Sequence, residues 1–109
     1  MLDVTPDHLA MVRAILETYI PGVRVWAFGS RITGQAKPHS DLDLAIITQT
    51  PLPLATLSMI EEAFAESDLP YRVEVVDWAR TREEFRAIIR RNCVPLVGDD
   101  TDGTATRSP

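Results

Sequence analysis

The stretch GSRITGQAKPHSDLDLAI, residues 29–46, decides how this chain is read. A Gly-Ser pair follows the apolar run VRVWAF (residues 23–28), and ten residues later Asp41 and Asp43 stand at the head of a second apolar run, Leu42 to Ile47. Aspartate is a poor strand former and costly to bury without a partner, so charges in this position call for compensation. Successive strand residues face opposite ways, so Asp41 and Asp43 project to one side while Leu42 and Leu44 project to the other. Two carboxylates that converge repel one another, and a divalent cation between them is the simplest stable arrangement. Oxygen donors of this kind suit Mg²⁺, which commonly completes its octahedron with waters and substrate phosphates.

The Gly-Ser pair supplies the complementary half. Gly29 lets the backbone approach a ligand closely, and a turn leading into a short helix aims backbone N–H groups and the Ser30 hydroxyl outward, toward a phosphate chain. Arg31, next in the chain, is a candidate for a phosphate or a neighbouring carboxylate, or an exposed loop residue. Together the two halves describe metal-assisted phosphoryl or nucleotidyl transfer, in which two ions about 3.5–4 Å apart hold the attacking and leaving oxygens in line. A third carboxylate is wanted to complete the metal site or to take the nucleophile's proton. The run YRVEVVDW (residues 71–78) offers Glu74, on the same face as Arg72 and Val76, and Asp77 on the opposite face near the strand's end. Only one of them can face the site.

Working outward, the remaining pattern is that of one small α/β domain. Thr5 and Pro6 form a helix start, and Leu9, Val12, Leu16 and Tyr19 recur at three and four residues up to Pro21-Gly22. Leu42–Ile47 is apolar enough to be buried on both faces in the middle of a sheet. Leu57, Ile60 and Phe64 give one side to a helix over residues 54–67, and residues 71–78 form a third strand. Thr81 with Glu84 has the form of a capping box, followed by a helix with Phe85, Ile88 and Ile89 as its buried stripe. Residues 94–97 add a short edge strand. The link between the first two strands is either a hairpin-like return or a crossover, and a mixed sheet flanked by helices is the favoured arrangement. Residues 1–97 are expected to form the domain and residues 98–109, without an apolar anchor, a disordered tail.

Composition narrows the function. With 109 residues, 45% hydrophobic and 25% charged, the chain fits one globular domain. A formal net charge of −5 argues against general nucleic-acid binding. Arg80, Arg82, Arg86, Arg90 and Arg91 are expected on the solvated face of a helix. Trp26 and Trp78 are expected in a core or interface. The single cysteine, Cys93, excludes an internal disulfide and gives no zinc pattern. The acidic N-terminus and the lack of a long apolar run predict a cytoplasmic protein with no membrane span.

The signature Gly-Ser, ten residues, Asp-x-Asp resembles that of the DNA polymerase β-like nucleotidyltransferase superfamily, and in so short a chain it resembles the minimal nucleotidyltransferase (MNT) antitoxin type. LPYRVEVVDWARTREEFRAII (residues 69–89) is similar to the third-strand and last-helix segment of that family. The resemblance implies a nucleotidyltransferase fold and AMP transfer from ATP, with Asp41 and Asp43 on Mg²⁺ and Gly29, Ser30 and Arg31 toward the triphosphate. Glu74 matches the third acidic position, as ligand or base, where the family most often has Asp. The implied partner is a HEPN-family toxin modified on a tyrosine hydroxyl. Two other readings stand beside it: neutralisation of the toxin by binding alone, and nucleotide transfer to a small molecule, which a missing acceptor domain disfavours.

Overall fold

A computed structural model describes residues 2–98, so the tail expected over residues 98–109 lies, apart from Gly98, outside the described residues. The elements run α1 (Pro6–Tyr19), β1 (Arg24–Phe28), α2 (Ser30–Thr33), β2 (Leu42–Ile47), α3 (Leu54–Ala65), β3 (Val73–Asp77), a single 3-10 turn (Trp78–Arg80), α4 (Glu83–Arg91) and β4 (Cys93–Val97). The four strands make one sheet in the order β3-β2-β1-β4. β2 pairs antiparallel with β1 and parallel with β3, so the sheet is mixed, as expected. The β1–β2 link is therefore the hairpin-like return. β4 pairs antiparallel with β1 at the sheet edge, where Pro95 is tolerated because an edge strand need not donate on its outer side.

Alternation along β2 splits the protein into two layers of core. Leu42, Leu44 and Ile46 are fully buried with Val12 and Leu16 of α1 and Ile60 and Phe64 of α3. On the other face Ala45 packs with Phe28, Trp78 and Ile89, a much smaller cluster beneath α4. Trp26 meets Trp78 edge-on at 5.3 Å, which places both rings in this packing. Asp43 of β2 and Glu74 of β3 point to this second face, where the cover is incomplete.

Several local expectations are corrected by the packing. Thr5 does cap α1, accepting from the His8 N–H at 3.2 Å. The buried stripe of α1, however, passes from Leu16 to Ile20 rather than Tyr19, which is left 37% exposed; a stripe that follows i+4 here carries position 19 off the sheet. The capping box at Thr81 does not form. The Thr81 hydroxyl instead donates to the Asp77 carbonyl at 2.7 Å, and α4 begins at Glu83 with Arg82 as its cap. The acids Glu83 and Glu84 in the first turn and Arg90 and Arg91 in the last complement the helix dipole. The arginines of this region are only partly a solvated face: Arg86 donates to the Trp78 carbonyl, and Arg86 and Arg90 both lie 5.1 Å from the Trp78 ring.

Candidate active site

The register of the sheet builds the site. Phe28 of β1 stands opposite Asp43 of β2, and Asp43 stands opposite Glu74 of β3, so the three share one row across the face turned toward α4. Asp41, immediately before β2, lies two residues from Asp43 on that same side. Asp41, Asp43 and Glu74 open into a cleft of about 570 Å³. Gly29 and Thr33 line its β1 end, while Val76 of β3 and Phe85, Ile88 and Asn92 of α4 complete the wall.

Gly29 is where the backbone has to be glycine. Its φ of 86° and ψ of −158° lie in a region side chains rarely adopt, and a Cβ here would overlap Oδ2 of Asp43 and sit 3.1 Å from its Cγ. The turn so formed starts α2, whose Ile32 and Thr33 N–H groups bond the Gly29 carbonyl at 2.9 and 3.2 Å. Ser30, the first residue of α2, is half-buried beside the cleft.

Asp43 is the carboxylate on which these charges bear most. Asp43 is held above the ordinary carboxylate range, first by burial and then by the charges of Asp41 and Glu74. A cation between these groups would relieve the repulsion, and all the donors are hard oxygens, so the residues present fit Mg²⁺. Glu74 is engaged by an ion pair with Arg72, two residues earlier and just before β3. Among the described residues no three acidic, His or Cys side chains stand together as a finished metal cluster.

Other candidates fall elsewhere. Arg31, expected toward the triphosphate, is 5% exposed and turned away from it. Its guanidinium donates to the carbonyls of Asp3 (3.0 Å), Pro38 (3.1 Å) and Ser40 (2.8 and 3.1 Å) and lies 4.0 Å over the Tyr71 ring. It fastens the β1–β2 link to the N-terminal segment. Asp77 is buried at the end of β3, where it accepts from Thr48 Oγ1 and from the Leu52 N–H at 2.8 Å and pairs with Arg80 at 3.3 Å. It is a strand-end clip and stands away from the cleft. Lys37 and His39 are exposed on the loop. Thr33, Phe85, Ile88 and Asn92 were not anticipated; only Thr33 had a signal, since it falls one turn after Ser30.

Comparison with known proteins identifies the family. A family model described as "Polymerase beta, Nucleotidyltransferase" matches residues 11–102. "Probable protein adenylyltransferase MntA" of Haemophilus influenzae is 53% identical over 90 residues, covering 83% of this chain and 79% of that protein. A toxin–antitoxin crystallised with AMP-PNP has a TM-score of 0.74 at 22% identity, over 86% of this chain and 76% of that one. A complex of tri-AMPylated Shewanella oneidensis HEPN toxin with MNT antitoxin has a TM-score of 0.67 at 21% identity, over 86% and 72% of the two chains. At those identities the solved structures establish the fold, a nucleotidyltransferase fold as the resemblance implied. The extent of the family match and the identity to the Haemophilus protein establish more: the chain belongs to the polymerase beta nucleotidyltransferase family.

Proposed function

We propose that this protein is an antitoxin-type adenylyltransferase that moves AMP from ATP to a tyrosine hydroxyl of a HEPN-family toxin, in the cytoplasm where ATP and the toxin would both be met. The observation that carries this reading is the row Phe28, Asp43, Glu74 with Asp41 beside it, facing a glycine turn that no side chain can occupy. The 53% identity to a protein named as a protein adenylyltransferase supports the reaction class, and the toxin–antitoxin complexes among the structural neighbours support the partner.

Asp41 and Asp43, joined by Glu74, would hold Mg²⁺, which when bound supplies positive charge against the developing charge on the phosphates. Gly29 leaves room for the triphosphate to lie against the turn, with Ser30 and Thr33 beside it as hydroxyl donors. The tyrosine oxygen attacks the α-phosphorus, an O–P bond forms as the α–β anhydride bond breaks, and pyrophosphate leaves. Glu74, released from Arg72, accepts the phenolic proton.

The test is to mix protein, ATP, Mg²⁺ and toxin and weigh the toxin by mass spectrometry. A gain of one or more AMP masses is expected, and Asp41→Ala or Asp43→Ala should abolish it while circular dichroism stays unchanged, since neither carboxylate is in the core. An unchanged toxin mass with wild-type protein removes the enzymatic claim. One observation favours neutralisation by binding alone: Glu74 is paired with Arg72 instead of standing with the aspartates. On that reading Asp41→Ala would still silence the toxin.

A further inference from the structure

We propose that Ile88 and Phe85 of α4, with Val76 of β3, form an acceptor wall that receives the phenol ring of the partner's tyrosine and selects it over serine or threonine. This rests on the transfer reaction proposed above. The starting observation is that the stripe of α4 is divided. Ile89 is fully buried, whereas Phe85 and Ile88 remain 38% and 55% exposed. They are not scattered on the surface, because both line the cleft that holds Asp41, Asp43 and Glu74. Phe85 is fixed there by an edge-on contact with Phe28 at 5.8 Å.

A triphosphate has no use for such a wall, since its oxygens would lose water there without gaining hydrogen bonds. An aromatic ring fits it. Two rings enter the reaction, adenine and phenol, and the placement of the polar residues decides between them. Gly29 and Thr33 lie at the β1 end of the cleft, Glu74 and Val76 lie on β3, and Asp43 on β2 stands between them. In-line transfer puts the leaving pyrophosphate and the incoming oxygen on opposite sides of the α-phosphorus. With the phosphates at the Gly29 turn, the acceptor enters from the β3 side. Val76 is two residues beyond Glu74 on the same face of β3, so a ring resting on Val76 and Ile88 carries its hydroxyl toward Glu74. Serine and threonine hold the hydroxyl one carbon from the backbone, and reaching Glu74 would press polar main chain against Ile88 and Phe85.

The experiment uses the full chain with Ile88→Ser and Ile88→Leu, both expected to fold because Ile88 is exposed. In steady-state transfer to the HEPN toxin, Ile88→Ser should raise the acceptor KM by about tenfold or more, the scale set by losing one apolar contact surface. The KM for ATP should stay within about twofold, and Ile88→Leu should restore the acceptor KM. A rise confined to the ATP KM would assign the wall to adenine and overturn the proposal, as would no change in either. Should the wild-type protein transfer nothing, the reaction fails but the wall is still judged by methyl NMR with Mg²⁺ and AMP-PNP present. N-acetyl-tyrosinamide should then shift the Ile88 and Val76 methyl signals by ring current, and N-acetyl-serinamide should not. Shifts produced by AMP-PNP alone, or equally by both amides, overturn it.

Discussion

Gly29 and Asp43 are coupled at a single point of contact. Any side chain at position 29 must take φ near 86° and displace the Asp43 carboxylate from its place in the row. Gly29→Ala should therefore cost about 1–3 kcal/mol of stability, the usual penalty for a residue forced into glycine-only backbone. It should also lower transfer on the order of 10²-fold, because a carboxylate moved by about 1 Å no longer holds its ion in place. Urea unfolding and initial rates measure the two effects separately. Asp43 itself makes a pH-dependent claim. Its folded pKa lies above the ordinary carboxylate value, first through burial and then through Asp41 and Glu74, so the folded chain holds that proton more tightly than the unfolded chain. The contribution is fully present below the unfolded value and is lost as pH rises through the raised folded value. Metal-free protein should thus lose stability as pH climbs from about 4 toward neutrality, and Asp43→Asn should flatten that slope and be the more stable protein at pH 7 while being inactive. Thermal melts of both proteins across this range, in the presence of a chelator, check the sign.

At the scale of elements, the β1–β2 link shows how a side chain that looks like a ligand can serve as a fastener. Arg31 stands one residue after the Gly-Ser pair, and its charge alone suggests the triphosphate. The backbone carbonyls of Pro38 and Ser40 in that tight return and of Asp3 in the N-terminal segment converge, and a planar guanidinium meets all of them while lying on Tyr71. Arg31→Ala should cost about 1.5–3 kcal/mol, as expected when charge-assisted bonds to part-buried carbonyls are lost. Arg31→Lys should recover little of it, because an ammonium cannot reach carbonyls on several sides at once. Denaturant unfolding of the two variants gives the comparison; a role at the triphosphate would instead raise the KM for ATP with stability unchanged. Thr81 makes the same point about helix starts. Its spacing to Glu84 is that of a capping box, yet the carbonyl left at the end of β3 takes its hydroxyl first.

Across the whole molecule, the two faces of the sheet are unequal, and this inequality makes room for the site. The α1 and α3 face closes over a large core, while among the described residues the other face has only Phe28, Ala45, Trp78 and Ile89 as its buried cluster. Ile89 is the anchor of α4, so Ile89→Ala should lower stability by about 2–5 kcal/mol and loosen the wall formed by Phe85 and Ile88. Hydrogen exchange should then quicken in α4 and leave α1 and α3 protected. Sequence alone was enough for the strands and helices, whose periods are written in single runs such as Leu42–Ile47 and Leu57, Ile60, Phe64. It was enough, too, for the shared side of Asp41 and Asp43 and for the face of Glu74, because strand alternation is a local property. It placed the Gly-Ser turn where the apolar run over residues 23–28 stops at Gly29. Which strand lay beside which was settled only by the tertiary structure, and with it the row that sets Phe28, Asp43 and Glu74 side by side. The same holds for Arg31 and for the exposure of Phe85 and Ile88: burial and hydrogen-bond partners depend on what other segments bring to the same place, and no local pattern carries that information.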